Sequence, residues 1–132
     1  MKVVLEPRES EEYFFNALCN GAGWISGYGL KLDCLNHEYS EARDRLKEKF
    51  GEDRTICIED VWMEILRQGG TLTLIDREYG GEYTKSIKLA DVHERVANTP
   101  LDHLMDMIEE RDDAVTADCI IQTVFYNEVI FG

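Results

Sequence analysis

Three glycines in the stretch NGAGWISGYGLKL (residues 20–32) have the G-x-x-x-G-x-G spacing of some dinucleotide-binding loops. A phosphate loop of this kind follows a strand and precedes a helix, whose positive N-terminus faces the phosphate. Here the apolar pattern predicts a helix before the glycines and a strand after them, and no lysine or arginine lies between Arg8 and Lys31. We therefore expect the glycines to end a helix and form a tight turn, with Trp24 and Tyr28 packed across it.

A pocket beside this turn is the alternative source of chemistry. Trp24 and Tyr28, together with Trp62 from a later predicted helix, would enclose a small ligand or a substrate between aromatic rings. On this hypothesis the chain is a small-ligand-binding protein or an enzyme with a pocket near the glycine-rich 21–29 loop.

The remaining residue types suited to catalysis or metal binding lack the required spacing. They are His37, His93 and His103, and Cys19, Cys34, Cys57 and Cys119. No H-x-x-x-H, H-E-x-x-H, C-x-x-C or G-x-S-x-G pattern occurs among them, so we predict no catalytic residue, metal site or cofactor. Each cysteine has apolar neighbours, and we expect four reduced thiols that are mostly buried. A binding protein is favoured over an enzyme.

The net charge of the chain limits the classes of molecule that it can bind directly. Lys and Arg number 14 against 27 Asp and Glu, a net charge of −13. Direct binding to DNA or RNA requires cationic groups that displace counterions, and an anionic membrane surface attracts cationic segments. We therefore predict neither nucleic acid nor membrane as a direct partner, whereas a basic partner protein remains open.

The acidic residues are concentrated in the C-terminal half, where predicted helices carry them. Nine of them define a predicted contact surface: Asp91, Glu94, Asp102, Asp106, Glu109, Glu110, Asp112, Asp113 and Asp118. A helical surface this negative can dock a basic partner, or imitate the phosphates of a duplex and block a nucleic-acid-binding protein. The plainer alternative is that these helices only keep the protein soluble, and the sequence leaves both open.

The apolar patterns along the chain predict helices and strands that together form a single α+β domain over residues 1–132. A small antiparallel sheet contains a hairpin of residues 71–76 and 83–89, turning at Gly80-Gly81, and five to six helices pack around it. The predicted helices are 10–20, capped by Ser10 and ended by Gly21, then 38–50, one in the TICIEDVWMEILRQGG segment that ends at Gly69-Gly70, LADVHERVANT, one capped by Thr99, and 114–126. Further strands are predicted in KVVLEP and YGLKLDC.

The chain as given ends in an apolar segment, Val129, Ile130 and Phe131. An exposed strand of that composition invites aggregation, so we expect it to pair within the sheet or across a homodimer interface. No stretch approaches the length of a membrane span, and the charged N-terminus lacks the apolar core of a secretory signal, so we expect a cytoplasmic protein.

One resemblance concerns the C-terminal third, which reads LRQGGTLTLID, a hairpin, an acidic loop and TADCIIQTVFYNEVIFG. It is similar to uncharacterised small acidic proteins of bacteriophages and integrated mobile elements in gut bacteria, which often end in A-D-x-x-x-Q-x-x-x-F-x-E-V-x-x-G. The matching positions are Ala117, Asp118, Gln122, Tyr126, Glu128, Val129 and Gly132, with Tyr126 in place of F and Asn127 in place of a frequent glycine. The resemblance implies a mobile-element accessory protein that acts on host machinery, and no particular activity.

Overall fold

The computed structural model describes residues 3–52 and 54–132, and these form an α+β fold of helices around a three-stranded sheet. The fold class predicted from the sequence is thus confirmed. The elements are α1 (Pro7–Ile25), β1 (Leu30–Cys34), α2 (Asn36–Phe50), α3 (Ile58–Arg67), β2 (Leu72–Asp76), β3 (Lys85–Ile87), α4 (Leu89–Arg95), α5 (Leu101–Ile108) and α6 (Ala114–Tyr126). Short 3-10 turns extend α1 and α4 over Ser26–Tyr28 and Val96–Asn98.

The sheet is antiparallel, in the order β1-β2-β3. Leu30 pairs with Asp76 and Leu72 pairs with Ile87, so the predicted hairpin is present, although β3 is shorter than predicted. Period-two alternation turns the leucines of β1 and β2 and Ile87 of β3 towards the helices, where all of them are buried. The other sheet face keeps exposed polar residues such as Lys31, Asp33 and Ser86.

Helix α6 lies at the centre of the molecule. Every residue from Thr116 to Phe125 is buried, because α1, α4 and α5 all pack against this helix. The sequence predicts its bounds, a cap at Asp112 or Asp113, and an inward face that includes Ala117, Ile120 and Val124; in the structure Asp113 is the cap. It did not predict burial on the opposite side, where Asp118 and Gln122 lie.

Helix α1 is longer than predicted at both ends. It begins at Pro7, which suits the first helical turn, and the backbone N–H of Glu6 donates to Glu9 Oε1 at 2.9 Å. Ser10 is therefore a buried position within the helix and not its cap. Gly21 does not end the helix either: it lies inside α1, where a Cβ atom would come within 2.8 Å of Ala117 Cβ.

Three smaller predictions are also wrong. Residues 3–6 of the predicted first strand are irregular, and Lys2 of that strand lies outside the described residues. Helix α5 begins after Pro100 with no side-chain cap, so Thr99 does not cap it. The apolar spacing of their helices predicts that Ile58 and Leu101 are buried, but they are 47% and 53% exposed.

None of the helices in the described ranges combines the length and the apolarity required to cross a membrane.

Candidate functional site

The acidic residues predicted as one contact surface fall into three groups, and the first lies on α4. Asp91 accepts a hydrogen bond from the backbone N–H of Lys88 at 2.9 Å and forms an ion pair with Arg95 at 3.3 Å. Its carboxylate caps the helix and is neutralised by a neighbour one turn away. Glu94 is exposed. Of the two predicted contact residues on α4, Asp91 is therefore engaged within its own helix and only Glu94 is exposed.

The second group lies on α5 and the loop that follows it. Asp102 and Asp106 are one helical turn apart and Glu109 caps the end of the helix, so the three fall on one side of it. Asp102 has 80% of its side chain exposed, and Asp106 and Glu109 about half of that. Arg111 returns over this side and pairs with Asp106 at 3.4 Å and with Glu109.

The loop from α5 to α6 adds three more carboxylates. Glu110 is exposed and holds a left-handed backbone, with φ of 58°. Asp112 accepts from Asn20 Nδ2 at 3.1 Å, which ties the loop to α1. Asp113 caps α6: the Thr116 N–H donates to its Oδ1 at 2.9 Å, and this bond holds the pKa of Asp113 below its ordinary value of 3.8.

The two parts of this second group converge near the start of α6. Burial, and after it the negative charges of Asp118, Asp102 and Asp113, together raise the pKa of the Cys119 thiol to about 11. Residues from α5 and from the α6 cap are therefore close enough to act on one thiol. We define the acidic surface as these residues of α5 and the loop: Asp102, Asp106, Glu109, Glu110, Asp112 and Asp113.

Asp118 is a correction to the predicted contact surface. It is only 4% exposed, and its two oxygens accept hydrogen bonds inside the protein. The Tyr28 hydroxyl donates to Oδ2 at 2.6 Å, and Gln122 Nε2 donates to Oδ1 at 2.7 Å. Burial, and then the hydrogen bond to Asp118, raise the pKa of Tyr28. Asp118 is thus part of a buried polar network and cannot contact a partner.

In the described residues the C-terminal segment does not pair with the sheet, so the first of its two predicted arrangements is wrong. Its backbone is held by α6: the N–H groups of Ile130 and Phe131 both donate to Gln122 Oε1 at 2.8 Å. Gln122 Nε2 also donates to the Phe131 carbonyl at 3.1 Å. A single buried amide side chain therefore takes the place of a neighbouring strand. Val129 and Ile130 remain 39% and 38% exposed, and their role in a dimer interface stays a prediction.

The Phe131 ring completes a cluster of aromatic side chains. It stacks on Tyr28 and Tyr79, with ring centroids 5.3 and 5.6 Å away, and meets Tyr83 edge-on at 5.1 Å. The Tyr126 hydroxyl donates to the Tyr83 carbonyl at 2.8 Å, and burial raises the pKa of Tyr126 to about 12. The cluster joins the segment to the β2–β3 loop and to the turn after α1.

That β2–β3 loop is organised by Asp76, a residue that the sequence analysis did not single out. Its carboxylate accepts the backbone N–H groups of Tyr79, Glu78 and Tyr83 at 2.7, 2.9 and 3.1 Å. Burial alone would raise the pKa of Asp76, but these hydrogen bonds outweigh it and hold the pKa below 3.8. The sequence signal was present: an aspartate at a strand end before a Gly-Gly turn often binds the loop backbone.

The predicted pocket near the glycines is only partly present. A groove of about 480 Å³ is lined by Trp62, by Ala22 and Ser26, and by Leu30–Leu32 of β1, with Arg77 at one end. Trp24 and Tyr28 do not line it: Trp24 is 49% exposed and its indole N–H donates to the Tyr28 hydroxyl at 3.3 Å. The groove's polar side chains are Ser26, Lys31 and Arg77, a set without the carboxylate, imidazole or thiol typical of acid–base or nucleophilic catalysis.

The cysteines are free, as predicted, but they are less buried than predicted. Cys119 is buried, Cys34 is half-buried, and Cys19 and Cys57 are exposed. Desolvation, followed by the charges of Glu59, Cys57 and Asp60, raises the pKa of Cys19 to about 11. A thiol with that pKa is almost entirely protonated at neutral pH and is a poor nucleophile.

The histidines take different positions. His93 Nε2 lies 2.9 Å from Glu11 Oε2, and the other oxygen of Glu11 pairs with Arg67 at 3.3 Å. Glu11 thus links α1 to α3 and α4. A local sequence pattern could not predict this contact, because the three residues are far apart in the chain. Across residues 3–52 and 54–132, no three His, Cys, Asp or Glu side chains converge as metal ligands would.

Comparisons with protein-family models, with curated proteins and with solved structures find no significant match to this chain.

Proposed function

We propose that this protein is a non-enzymatic interaction module of the cytoplasm, and that its acidic surface docks a basic segment of a partner protein. The observation that carries the proposal is the arrangement on α5, where Asp102, Asp106 and Glu109 share one exposed side. The adjoining loop brings the total to six carboxylates, and Arg111 is the one lysine or arginine in residues 101–113. This local excess of negative charge attracts lysine- and arginine-rich segments and repels acidic ones.

The ion pairs of Arg111 leave the surface available. Its side chain is 62% exposed, and exposed ion pairs contribute only about 0–1 kcal/mol. A partner's arginine or lysine can displace it at small cost. By contrast, Asp91 is paired within its own helix and Asp118 is buried, so neither belongs to the proposed contact.

Apolar side chains at the margin of the acidic surface support a protein partner. Leu101 precedes Asp102 and is 53% exposed, and Val115 follows the Asp113 cap and is 43% exposed. Protein interfaces combine a few apolar anchors with a polar rim, whereas a surface that only maintains solubility has no need of them.

The resemblance of the C-terminal third suggests the class of partner. If the chain is a mobile-element accessory protein, a nucleic-acid-binding host protein is the natural basic target, because its own nucleic-acid site already recognises closely spaced negative charge. This part of the proposal rests on the resemblance and not on the geometry.

The test is binding of a fluorescent lysine- and arginine-rich peptide to two variants of equal charge. The first carries Asp102→Asn, Asp106→Asn, Glu109→Gln and Glu110→Gln. The matched control carries Glu41→Gln, Asp44→Asn, Glu48→Gln and Glu52→Gln, which are exposed residues on and just after α2. We expect the first variant to lose about tenfold or more in affinity, and the control to lose much less. Equal losses would mean that net charge alone attracts the peptide, and the proposal would fail.

The alternative, a small-ligand-binding protein, rests on the groove beside Trp62. It predicts that both charge variants bind a ligand equally well and that a ligand stabilises the protein against heat. The acidic surface supports the interaction module more strongly, because the groove's lining lacks the side chains of a catalytic site.

A further inference from the structure

Strand β1 forms one edge of the sheet. It pairs with β2 along one side, and within the described ranges no strand pairs with its other side. Leu30, Lys31 and Leu32 of this strand line the groove beside Trp62. An open strand edge that faces a groove is a place where a further strand can add to a sheet.

The hydrogen bonds show which backbone groups face the open side. The Arg77 N–H donates to the Gly29 carbonyl at 2.8 Å, so odd-numbered residues in this stretch face β2. Even-numbered residues then direct their N–H and C=O groups outward. Cys34 agrees with this, because its N–H donates to the Asp33 carboxylate at 2.8 Å and not to β2. Leu30 is 2% exposed, so neighbouring elements cover its outward-facing groups, whereas Leu32, at the middle of the set, is 9% exposed and marks the accessible part of the edge.

The sequence of β1, LKLDC, is complementary to itself in one antiparallel register. If Leu32 pairs with Leu32 of a second copy, Lys31 of each chain lies opposite Asp33 of the other. Both residues are exposed on the outer sheet face, where opposite charges across a strand pair are favourable. The pairing also places the outward-facing backbone groups of the two Leu32 residues against each other, as an antiparallel ladder requires.

Neighbouring registers lack this match. If the centre of the pairing moves from Leu32 to Lys31, Lys31 of one chain lies opposite Lys31 of the other. If it moves from Leu32 to Asp33, Asp33 lies opposite Asp33. Like charges directly opposite each other destabilise a strand pair. Charge therefore favours the register centred on Leu32 over the two registers next to it.

We propose that the open edge of β1 binds a second copy of this chain, which gives a two-fold homodimer with a continuous six-stranded sheet. The interface is centred on Leu32 and is held by two reciprocal Lys31–Asp33 pairs. This contact differs from the C-terminal segment as a dimer interface and from the acidic surface as a partner site, and it does not depend on either.

The experiment is sedimentation velocity over about a hundredfold range of concentration for four proteins and one mixture. The proteins are the wild type, Lys31→Asp, Asp33→Lys and the double variant with both changes. Each single variant opposes like charges across the interface, so we expect both to remain monomers where the wild type is a dimer. The double variant only exchanges the two charges, and we expect it to dimerise again. The two single variants are complementary to each other, so their equimolar mixture should form a heterodimer.

The single variants change the net charge in opposite directions, so a loss of dimer in both cannot come from overall repulsion. Circular dichroism checks that each is folded. Ile130→Asp serves as a control and should leave the dimer intact. A wild type that stays monomeric at every concentration, or single variants that dimerise like the wild type, would overturn the proposal. If the edge of β1 instead binds a foreign peptide or a small ligand, the wild type remains a monomer at every concentration.

Discussion

Gln122 shows how a single residue replaces a strand. Its side chain is fully buried, and it accepts two backbone N–H groups of the C-terminal segment while donating to the Phe131 carbonyl and to Asp118. A buried amide that satisfies this many partners is costly to remove, because each partner left in the interior without a hydrogen bond loses about 1–3 kcal/mol. The position of the segment therefore depends on one side chain.

The replacement Gln122→Ala should lower the free energy of unfolding by about 2–4 kcal/mol, since it leaves the N–H groups of Ile130 and Phe131 and the Asp118 carboxylate without their partner. Urea denaturation measures this change. Hydrogen exchange should show in addition that the amides of Ile130 and Phe131 lose their protection.

Gln68→Ala is the matched control, because the Gln68 amide is exposed and donates to Glu64 at the surface. It should change the stability by no more than about 0.5 kcal/mol. Continued protection of the Ile130 and Phe131 amides in the Gln122 variant would show that the aromatic contacts of Phe131 alone hold the segment.

The limits of sequence reasoning at this scale are visible in Asp118. It was grouped with the surface acids because it follows them in a charged stretch, and composition cannot distinguish a solvated carboxylate from a buried one. Its partners are Tyr28, about 90 positions away, and Gln122, one turn away. Only the fold brings the first of them near. Asp113 was predictable, because a helix cap is a local feature.

Among the elements, α1 and α6 pack closely against each other, and Gly21 permits this approach. A Cβ atom at this position would lie 2.8 Å from Ala117 Cβ and 3.1 Å from the Ala117 carbonyl carbon, so the two backbones meet where neither helix has a large side chain. Gly23 lies two residues along the same helix, and a Cβ atom there would have no neighbour within 4 Å. The two glycines thus offer a matched pair.

Gly23→Ala should stabilise the protein by about 0.5–1 kcal/mol, because alanine favours a helix over glycine and the site has free space. Gly21→Ala gains the same propensity but forces α1 away from Ala117, and we expect a net loss of about 1–3 kcal/mol. Thermal and urea unfolding of the two variants measure the difference. Stabilisation by both substitutions would contradict the close approach of the two helices.

Elements whose apolar residues repeat with a clear helix or strand period could be predicted from the sequence. The pair α1 and α6 shows a feature that this periodicity does not predict. Helix α6, the helix α2 and the hairpin follow their apolar patterns closely, because the pattern and the buried face coincide. The end of α1 was misjudged because Gly21 resembles a C-terminal cap. Whether a glycine ends a helix or admits a neighbour depends on what packs there, which a local pattern does not contain.

At the scale of the whole molecule, the net charge of −13 must be carried by a surface with few internal pairs. Several of the ion pairs present, such as Arg8–Glu6 and those of Arg111, are exposed and therefore weak. The chain folds against its own repulsion, and the helices and the buried face of the sheet offset it. The same uncompensated negative charge would attract a cationic partner to the acidic surface, as proposed above.

Salt should therefore stabilise the protein. Raising NaCl from about 10 mM to 0.5 M shortens the screening length from roughly 30 Å to a few ångströms, so distant carboxylates cease to repel one another. We expect the melting temperature to rise by about 2–5 °C, as measured by circular dichroism. The acidic-surface variant and the α2 control variant each remove four negative charges, so both should show a smaller rise, and by similar amounts. If the salt-dependent rise in melting temperature disappears only in the acidic-surface variant, the repulsion is concentrated at the acidic surface. The other carboxylates then contribute little to it.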